Sequence, residues 1–405
     1  MIPSFSTFLE DKPLYYKEID HERVHIAYGM LKPHIRQPRA VHVVGTNGKG
    51  STGRMIVHLA YKSGLRVGHF SSPHILKFNE RIWLNGSDSA DGVLEEAHQK
   101  LFTIIGKEMS EKLSYFEYTT LLAFIVFEHC DLMVLEAGLG GEFDATNVYD
   151  KVLSVITPIG IDHQTFLGES IEEIAGTKIR SIQKQVLLAP QVYDEVVEVA
   201  KKIADEKGAK LYIVGEDPSD LPGQSCNSRV NTGVNPYNDS IQKISKQKGW
   251  GNYLADNAMV AIQALELLGI VYTIDDLLSL ELFGRFYPLT KNIRIDVGHN
   301  PLAAKAIEKA LDKKVVLIYN SLDDKDYEEV LRILKPKVKR VEILPIDSQR
   351  ATSLSEIEKA LKKVDIEYDY FERKIDKDEH YLVFGSFYVV EEFLNQMQKK
   401  LYVPK

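Results

Sequence analysis

One short stretch carries the residues most able to do chemistry: Gly45-Thr46-Asn47-Gly48-Lys49-Gly50-Ser51-Thr52. Its glycines let the backbone turn tightly and present bare N–H groups to an anion. Lys49 supplies a point charge, and the Ser51 or Thr52 hydroxyl can join the coordination of Mg²⁺. The spacing departs from the common phosphate loop, in which a hydroxyl residue follows the lysine at once; here Val43 holds the early glycine position and Gly50 follows Lys49. An ordinary strand-to-helix turn is the alternative, but it would not require glycines, lysine and paired hydroxyls together. Further on, the apolar run Leu132–Leu135 ends in Glu136, where an acid that coordinates nucleotide Mg²⁺ is expected. Ala137-Gly138-Leu139-Gly140-Gly141 then lets the backbone come close to a ligand. Ile161-Asp162-His163 lies just past another apolar run. A lone histidine is usually structural, but beside Glu136 on parallel strands His163 becomes a metal-ligand candidate.

These residues need elements to hold them. Val41–Val44 reads as a buried strand, and Met55, Ile56, Leu59 and Ala60 give the following helix its spacing, with Gly64 as a stop. Strand, glycine loop and helix together form a phosphate cradle. A lead-in helix is expected over about 20–30. Strands are expected at 65–70, 132–136, 152–156 and 186–189, and helices at 114–129, from Ser170 and over 192–207. Residues 215–251 are polar and poorly periodic and read as an irregular hairpin or loop. A strongly apolar helix starts at Asp256-Asn257-Ala258 and runs to Leu268, with Asn257 a candidate cap. Beyond Gly284-Arg285-Phe286, strands at 293–296, 315–319, 341–344 and 381–384 alternate with helices at 302–311, 327–334, 354–362 and 387–399. That alternation is a small doubly wound sheet. The expected fold is α/β: a phosphate-loop ATPase domain with a mostly parallel sheet over 1–284, and a smaller Rossmann-like domain over 285–405.

Composition bounds the rest. A chain of 405 residues is long for one core. Its 44% hydrophobic and 27% charged content is ordinary for a globular protein. A net charge of −8 argues against a general nucleic-acid or anionic-membrane binder, so an anionic substrate needs local positive groups. The apolar run 121–127 is too short to span a bilayer. The start of the chain does not read as a signal peptide. Cys130 and Cys226 build no disulfide framework and fit a reducing cytoplasm.

Several motifs, in order from about residue 40 to 390, resemble the folylpolyglutamate synthase and dihydrofolate synthase family of the Mur ligase superfamily. Gly-Thr-Asn-Gly-Lys-Gly-Ser at 45–51 is similar to its ATP loop. Ser71-Ser72-Pro73-His74 with Glu80-Arg81 matches a second motif. The run Glu136–Asn147 resembles its Glu-x-Gly-Leu-Gly-Gly-x-x-Asp-Ala-Thr-Asn almost residue for residue. Gly284-Arg285-Phe286, Asp296-x-x-His299-Asn300-Pro301, the Asp324-Lys325-Asp326 loop and Gly385-Ser386 complete the set. The chain departs from the family at Gly251–Leu254, where a His-Gln pair is usual, and at Ile179-Arg180, where Ala-Gly is usual.

The resemblance implies an ATP-dependent carboxylate–amine ligase that adds L-glutamate to dihydropteroate, and to reduced folates, through an acyl phosphate shielded from water by closure of two domains. It implies Mg²⁺ at Ser72, Glu136 and His163, a second Mg²⁺ at a Lys178 carbamylated by CO₂, and K⁺ as a further cation. By the same resemblance Gly48, Lys49, Gly50, Ser51, Asn257, Arg285, Asp296 and His299 hold ATP. Phe116, Glu117, Tyr118 and Thr119, with Phe143, Asp144 and Ala145, line a pterin pocket. Arg350 lies near the glutamate site. Some of these have a plainer alternative: the aromatics of 115–118 as core, Lys178 as an exposed helix lysine, Arg180 as the local charge partner. The expected protein is a cytoplasmic monomer with no nucleic-acid or membrane partner. Two rival readings are a Mur-type peptidoglycan ligase, which usually carries a dedicated UDP-binding domain before the loop, and a non-catalytic nucleotide switch, which needs neither a second cation nor a pterin pocket.

Overall fold

The computed structural model describes residues 2–12, 20, 22–215 and 237–397. The described chain divides into two compact units. The first comprises residues up to Gly160, Gln164–Asn238 and Asn257–Leu277; the second comprises Ile161–His163, Asp239–Asp256 and residues from Leu278 onward.

The first unit is built on β1 (Arg39–Val44), β2 (Val67–Phe70), β3 (Ile82–Leu84), β4 (Ser87–Asp88), β5 (Leu132–Glu136), β6 (Leu153–Ile156), β7 (Gln185–Leu188) and β8 (Lys210–Ile213). They form one sheet in the order β4-β3-β2-β5-β1-β6-β7-β8. β2, β5, β1, β6, β7 and β8 are parallel, and β3 and β4 add an antiparallel edge. The helices are α1 (Phe5–Glu10), α2 (Glu22–Leu31), α3 (Lys49–Lys62), α4 (Asp91–Lys112), α5 (Tyr115–Val126), α6 (Gln164–Leu167), α7 (Ile171–Ile179) and α8 (Asp194–Lys207). One apolar cluster packs α1, α2, α4 and α5 against Ala40, Phe70, Met133 and Leu135; another packs α7 and α8 against Val44, Ile156, Val186 and Leu188. Because both faces are covered, the central strands read as continuous apolar runs. Each fully buried ring such as Phe124 or Phe127 contributes about 1.5–3 kcal/mol by leaving water.

α9 (Asn238–Lys248) and α10 (Asn252–Leu267) follow. The second unit then has β9 (Tyr287–Pro288), β10 (Ile293–Ile295), β11 (Val315–Tyr319), β12 (Val338–Ile343), β13 (Tyr368–Tyr370) and β14 (Tyr381–Phe384). Their order is β13-β12-β11-β14-β10-β9, parallel except for β9. α11 (Pro301–Ala310), α12 (Tyr327–Leu334), α13 (Leu354–Val364) and α14 (Phe387–Met397) complete the Rossmann-like unit around Leu317, Tyr319, Leu331, Ile343, Leu361 and Leu382. The α/β class and the two-sheet architecture expected above are those observed.

The structure corrects several expectations. Residues 238–248 are helical, because Ile241 and Ile244 share a buried face; 216–236 lie outside the described residues. α5 stops at Val126 rather than near His129, with Phe127 buried at its C-cap. α10 starts at Asn252, so Asn257 is inside a helix and is no cap. The 22-residue α4 and the short strands β3, β4, β8, β9 and β13 were not anticipated. Early pieces join the second unit through specific bonds: Lys248 to Leu278 O, Tyr253 to Asp296, Arg294 to Gly249 O and Lys325 to Asp162.

Candidate functional site

In the first unit, neighbouring strands deliver the candidate residues to the carboxyl edge of the sheet, where open α/β sheets bind ligands. β1 runs into the glycine loop, and β5, paired with it so that Val43 faces Glu136, ends in that carboxylate. β2, on the other side of β5, runs into Ser71 and Ser72.

The loop is shaped for an anion. Gly48 has φ 86°, a left-handed conformation, and a Cβ there would lie 2.9 Å from Asn257 Oδ1. As the N-cap of α3, Gly48 makes no side-chain cap bond. The first-turn amides of α3 lack intrahelical acceptors by position, and the glycine cap offers them no side-chain oxygen. The Thr46 and Asn47 amides, by contrast, are spent on Pro158 O at 3.0 and 3.1 Å. The cradle is therefore the helix start rather than the whole loop. Ser51 Oγ donates to Gly48 O and accepts from Asn257 Nδ2 at 2.8 Å. Thr52 Oγ1 is buried with no partner among the described residues.

Two ammonium groups converge on a single carbonyl. Lys49 Nζ donates to Gly45 O and Thr46 O, each at 3.2 Å, and Lys178 Nζ donates to Gly45 O at 3.1 Å. Lys178 is only 4% exposed, so it is no solvent-facing helix lysine. The Ser170–Glu173 capping box starts α7, which carries Lys178 inward. Arg180 instead forms an ion pair with Glu142.

Glu136 is buried, and its Oε2 accepts from Ser72 N at 3.4 Å. Glu80 takes the Ile75, Leu76 and Lys77 amides, and Arg81 donates to His74 Nδ1 at 2.8 Å, so that motif fastens the loop after Ser72. Among the described residues there is no group of three or more His, Cys, Asp or Glu side chains placed to hold a metal. One carboxylate beside a hydroxyl residue at a phosphate cradle still fits Mg²⁺, which takes its other ligands from phosphates and water.

The expected pterin-lining residues separate by the geometry of their elements. Successive helix residues point about 100° apart. Phe116 is half-buried, with its ring 5.6 Å from Phe70. A Cβ on Gly138 would lie 2.6 Å from Phe116 Cζ, so only glycine lets the loop pass that close. The other three α5 residues face inward. Glu117 accepts from Ser114 N and pairs with Arg23, both at 2.7 Å. Tyr118 is fully buried and its hydroxyl donates to His98 Nδ1, whose Nε2–H is used on Pro3 O. Thr119 Oγ1 donates to Tyr115 O. On the loop, Phe143 is 59% exposed, whereas Asp144 and Ala145 are buried. Asp144 accepts from the Gly138, Leu139 and Thr146 amides and from the Thr146 hydroxyl, and so shapes the loop.

The second unit has its own polar cluster. Asp162, whose side chain is only 7% exposed, accepts from Lys325 Nζ at 2.7 Å and Asn300 Nδ2 at 3.1 Å, with His299 Nε2 at 3.8 Å. Burial would raise the Asp162 carboxyl, but His163, His299 and Lys325 pull it well below the usual range. His163, at φ 53°, lies 3.4 Å from Lys325 Nζ and 3.9 Å from Asp324. Arg350 pairs with Asp324 at 2.7 Å. Asp296 accepts from the Phe286 and Gly298 amides and from Tyr253 Oη, so it fastens the Val297–Asn300 loop; burial pushes its carboxyl up. Arg285 lies over the Phe387 ring at 5.2 Å. The sequence offered a signal for Asp162, a carboxylate at a strand end, but none for its pairing with Lys325.

No family model matches the chain. A dihydrofolate synthase/folylpolyglutamate synthase of Haemophilus influenzae is 31% identical over 401 residues, covering 88% of each chain. The chain belongs to the dihydrofolate synthase/folylpolyglutamate synthase family. Among solved structures, this family member is similar to a Helicobacter pylori folylpolyglutamate synthetase, at 40% identity and TM-score 0.75 over 98% of both chains. It is also similar to Escherichia coli FolC in complex with DHPP and ADP, at 27% identity and TM-score 0.78 over 97% of both. A Yersinia pestis bifunctional folylpolyglutamate synthase/dihydrofolate synthase, complexed with AMPPNP and Mn ion, matches at 25% identity and TM-score 0.79 over 97% of both.

Proposed function

We propose that this chain is an ATP-dependent ligase that joins L-glutamate to dihydropteroate and extends reduced folates by the same chemistry. One observation carries the reading: in a chain of this family, the anion cradle at α3 and the Glu136 carboxylate end neighbouring strands, with the Gly138–Asn147 loop following directly. The relatives solved with ADP or AMPPNP and a Mn ion support ATP with a divalent metal, and the DHPP complex supports a pterin-bearing substrate.

The substrate carboxylate takes the γ-phosphoryl of ATP, the β–γ P–O bond breaks with ADP as the leaving group, and the carboxylate becomes an acyl phosphate. The first-turn amides of α3, Lys49 and Ser51 bind and orient the phosphates, offsetting charge as it moves. Glu136 and Ser72 would hold Mg²⁺, which, when bound, shields the transferring phosphoryl. The glutamate amine then attacks the acyl carbonyl, loses a proton and displaces phosphate. Phe116 and Phe143 offer aromatic surface to a flat heterocycle. Arg285, Asp296, His299 and Arg350 serve ATP and glutamate from the 285–405 domain, and Asn257 serves the adenine from the 1–284 domain. In this reading His163 is a further Mg²⁺ ligand, Lys178 carries a carbamate that holds a second Mg²⁺, and K⁺ is an additional cation. The enzyme works as a cytoplasmic monomer.

A substrate panel tests it: dihydropteroate, tetrahydrofolate and UDP-muramyl acceptors, each with ATP and L-glutamate. Glutamylated pteroate and folate products are expected. Product from the UDP-muramyl acceptor alone would favour the Mur-type reading, and nucleotide binding without turnover would favour a switch.

A further inference from the structure

β1 carries a histidine where a buried apolar strand has no evident use for one. His42 is fully buried, and its Nε2 lies 2.8 Å from the Thr146 hydroxyl. That hydroxyl lies 2.5 Å from Asp144 Oδ1. The direction of this chain follows from its far end. Asp144 Oδ2 accepts from the Gly138 and Leu139 amides, each at 2.9 Å, and Oδ1 accepts from Thr146 N at 3.0 Å. A carboxylate so placed is an acceptor only, so Thr146 Oγ1 donates to it and must accept from His42. The imidazole is therefore fixed with its proton on Nε2, and its Nδ1 is left without a partner among the described residues. Burial, reinforced by Lys151, drives the ring to its neutral form, which has the single proton this arrangement uses.

We infer that His42 is a positioning residue for the carboxylate substrate: through Thr146 and Asp144 it fixes the two amides that open the Gly138–Phe143 loop. The inference rests on the reading of that loop as a substrate wall. The loop opens two residues after Glu136, the end of β5, crosses the Phe116 ring at Gly138 and exposes Phe143. Asp144 holds its first amides directly, and His42 holds the Thr146 hydroxyl that Asp144 accepts from, so the rigid central strand that also launches the phosphate loop is tied to the loop's shape. The relay acts on loop geometry and touches no nucleotide-cradle group, so it should affect the pterin substrate and spare ATP.

The test compares His42→Leu, His42→Gln and Thr146→Val with wild type. His42→Leu and Thr146→Val should raise KM for dihydropteroate on the order of tenfold, the loss of one buried hydrogen bond, with KM for ATP within about twofold. His42→Gln, whose amide can donate from the Nε2 position, should return KM toward wild type. Amide hydrogen exchange at Gly138 and Leu139 should quicken in the first two variants and not in His42→Gln. This readout does not depend on activity: if wild type fails to ligate dihydropteroate, the functional reading falls while the exchange still decides the relay. If His42→Leu does not fold, Thr146→Val breaks the same link from the loop side. Unchanged exchange at both amides in Thr146→Val, or equal rises in KM for ATP and dihydropteroate, would overturn the inference.

Discussion

The side-chain amide of Asn257, inside α10, donates to the Ser51 hydroxyl in the first turn of α3 at 2.8 Å. Both groups are buried, so the bond fixes which way the serine lone pairs face. Asn257→Leu removes the donor to that hydroxyl, which keeps only its own bond to Gly48 O, at a cost of about 1–3 kcal/mol at a phosphate cradle. KM for ATP should rise roughly tenfold to a hundredfold, with KM for dihydropteroate little changed. Steady-state kinetics on both substrates check this. Equal effects on the two would contradict a nucleotide role.

Lys178 and Lys49 share the Gly45 carbonyl, and two cations on one acceptor are relieved by an anion nearby. Converting Lys178 to a carbamate supplies a hard anionic oxygen that suits Mg²⁺. Lys178→Ala should lower kcat on the order of a hundredfold or more, and added acetate should recover part of it. Wild-type protein in ¹³C-bicarbonate should show a carbamate resonance that is missing in the variant. Full activity in Lys178→Ala would refute the assignment.

A pH effect on stability follows from Lys151. It is buried and donates to Asn147 Oδ1 and to Ser181 O, and burial, with Lys207 adding to it, lowers its pKa to about 7. A neutral amine still has the two hydrogens these acceptors need. Between the folded value and the ordinary value of 10.5, the unfolded chain holds a proton that the folded chain has released. Stability therefore rises with pH across that window, by up to about 1.4 kcal/mol per pH unit for one proton. Lys12, lowered to about 8 by burial, adds in the same sense. The wild-type stability increase from pH 7 to 9 should exceed that of Lys151→Met in urea titrations. Identical slopes would show that Lys151 keeps an ordinary pKa.

Most of the fold was readable because its central strands are continuous apolar runs and its helices keep regular spacing. β5, β11, β14 and α12 fall where the periodicity puts them. The phosphate loop was legible for the same reason: strand, glycines and helix are local. What the sequence hid is long-range. Glu117 and Tyr118 lie in an aromatic run beside Phe116, but the helix turns them toward Arg23 and His98. Asp144 sits in a motif that reads as ligand-binding, while its carboxylate is saturated by its own loop. α9 was missed because only Ile241 and Ile244 mark its buried face among lysines and glutamines.

The Asp162–Lys325 pair is the buried ionic centre of the second unit, with both side chains under a tenth exposed. Lys325→Met strands the carboxylate and should cost about 3–5 kcal/mol. Lys325→Met with Asp162→Asn should recover much of that loss, because no charge is left unpaired. Urea unfolding of the single and double variants decides it. A double variant no more stable than Lys325→Met would mean that Asp162 is held adequately by Asn300 and His299.

The central claim is that ATP drives glutamate onto a pteroate carboxylate through phosphoryl transfer. Purified protein with Mg²⁺, ATP, dihydropteroate and L-glutamate should form dihydrofolate, ADP and phosphate in equal amounts, and omitting either co-substrate should stop product formation. Release of AMP and pyrophosphate, or ADP formation indifferent to both co-substrates, would contradict it.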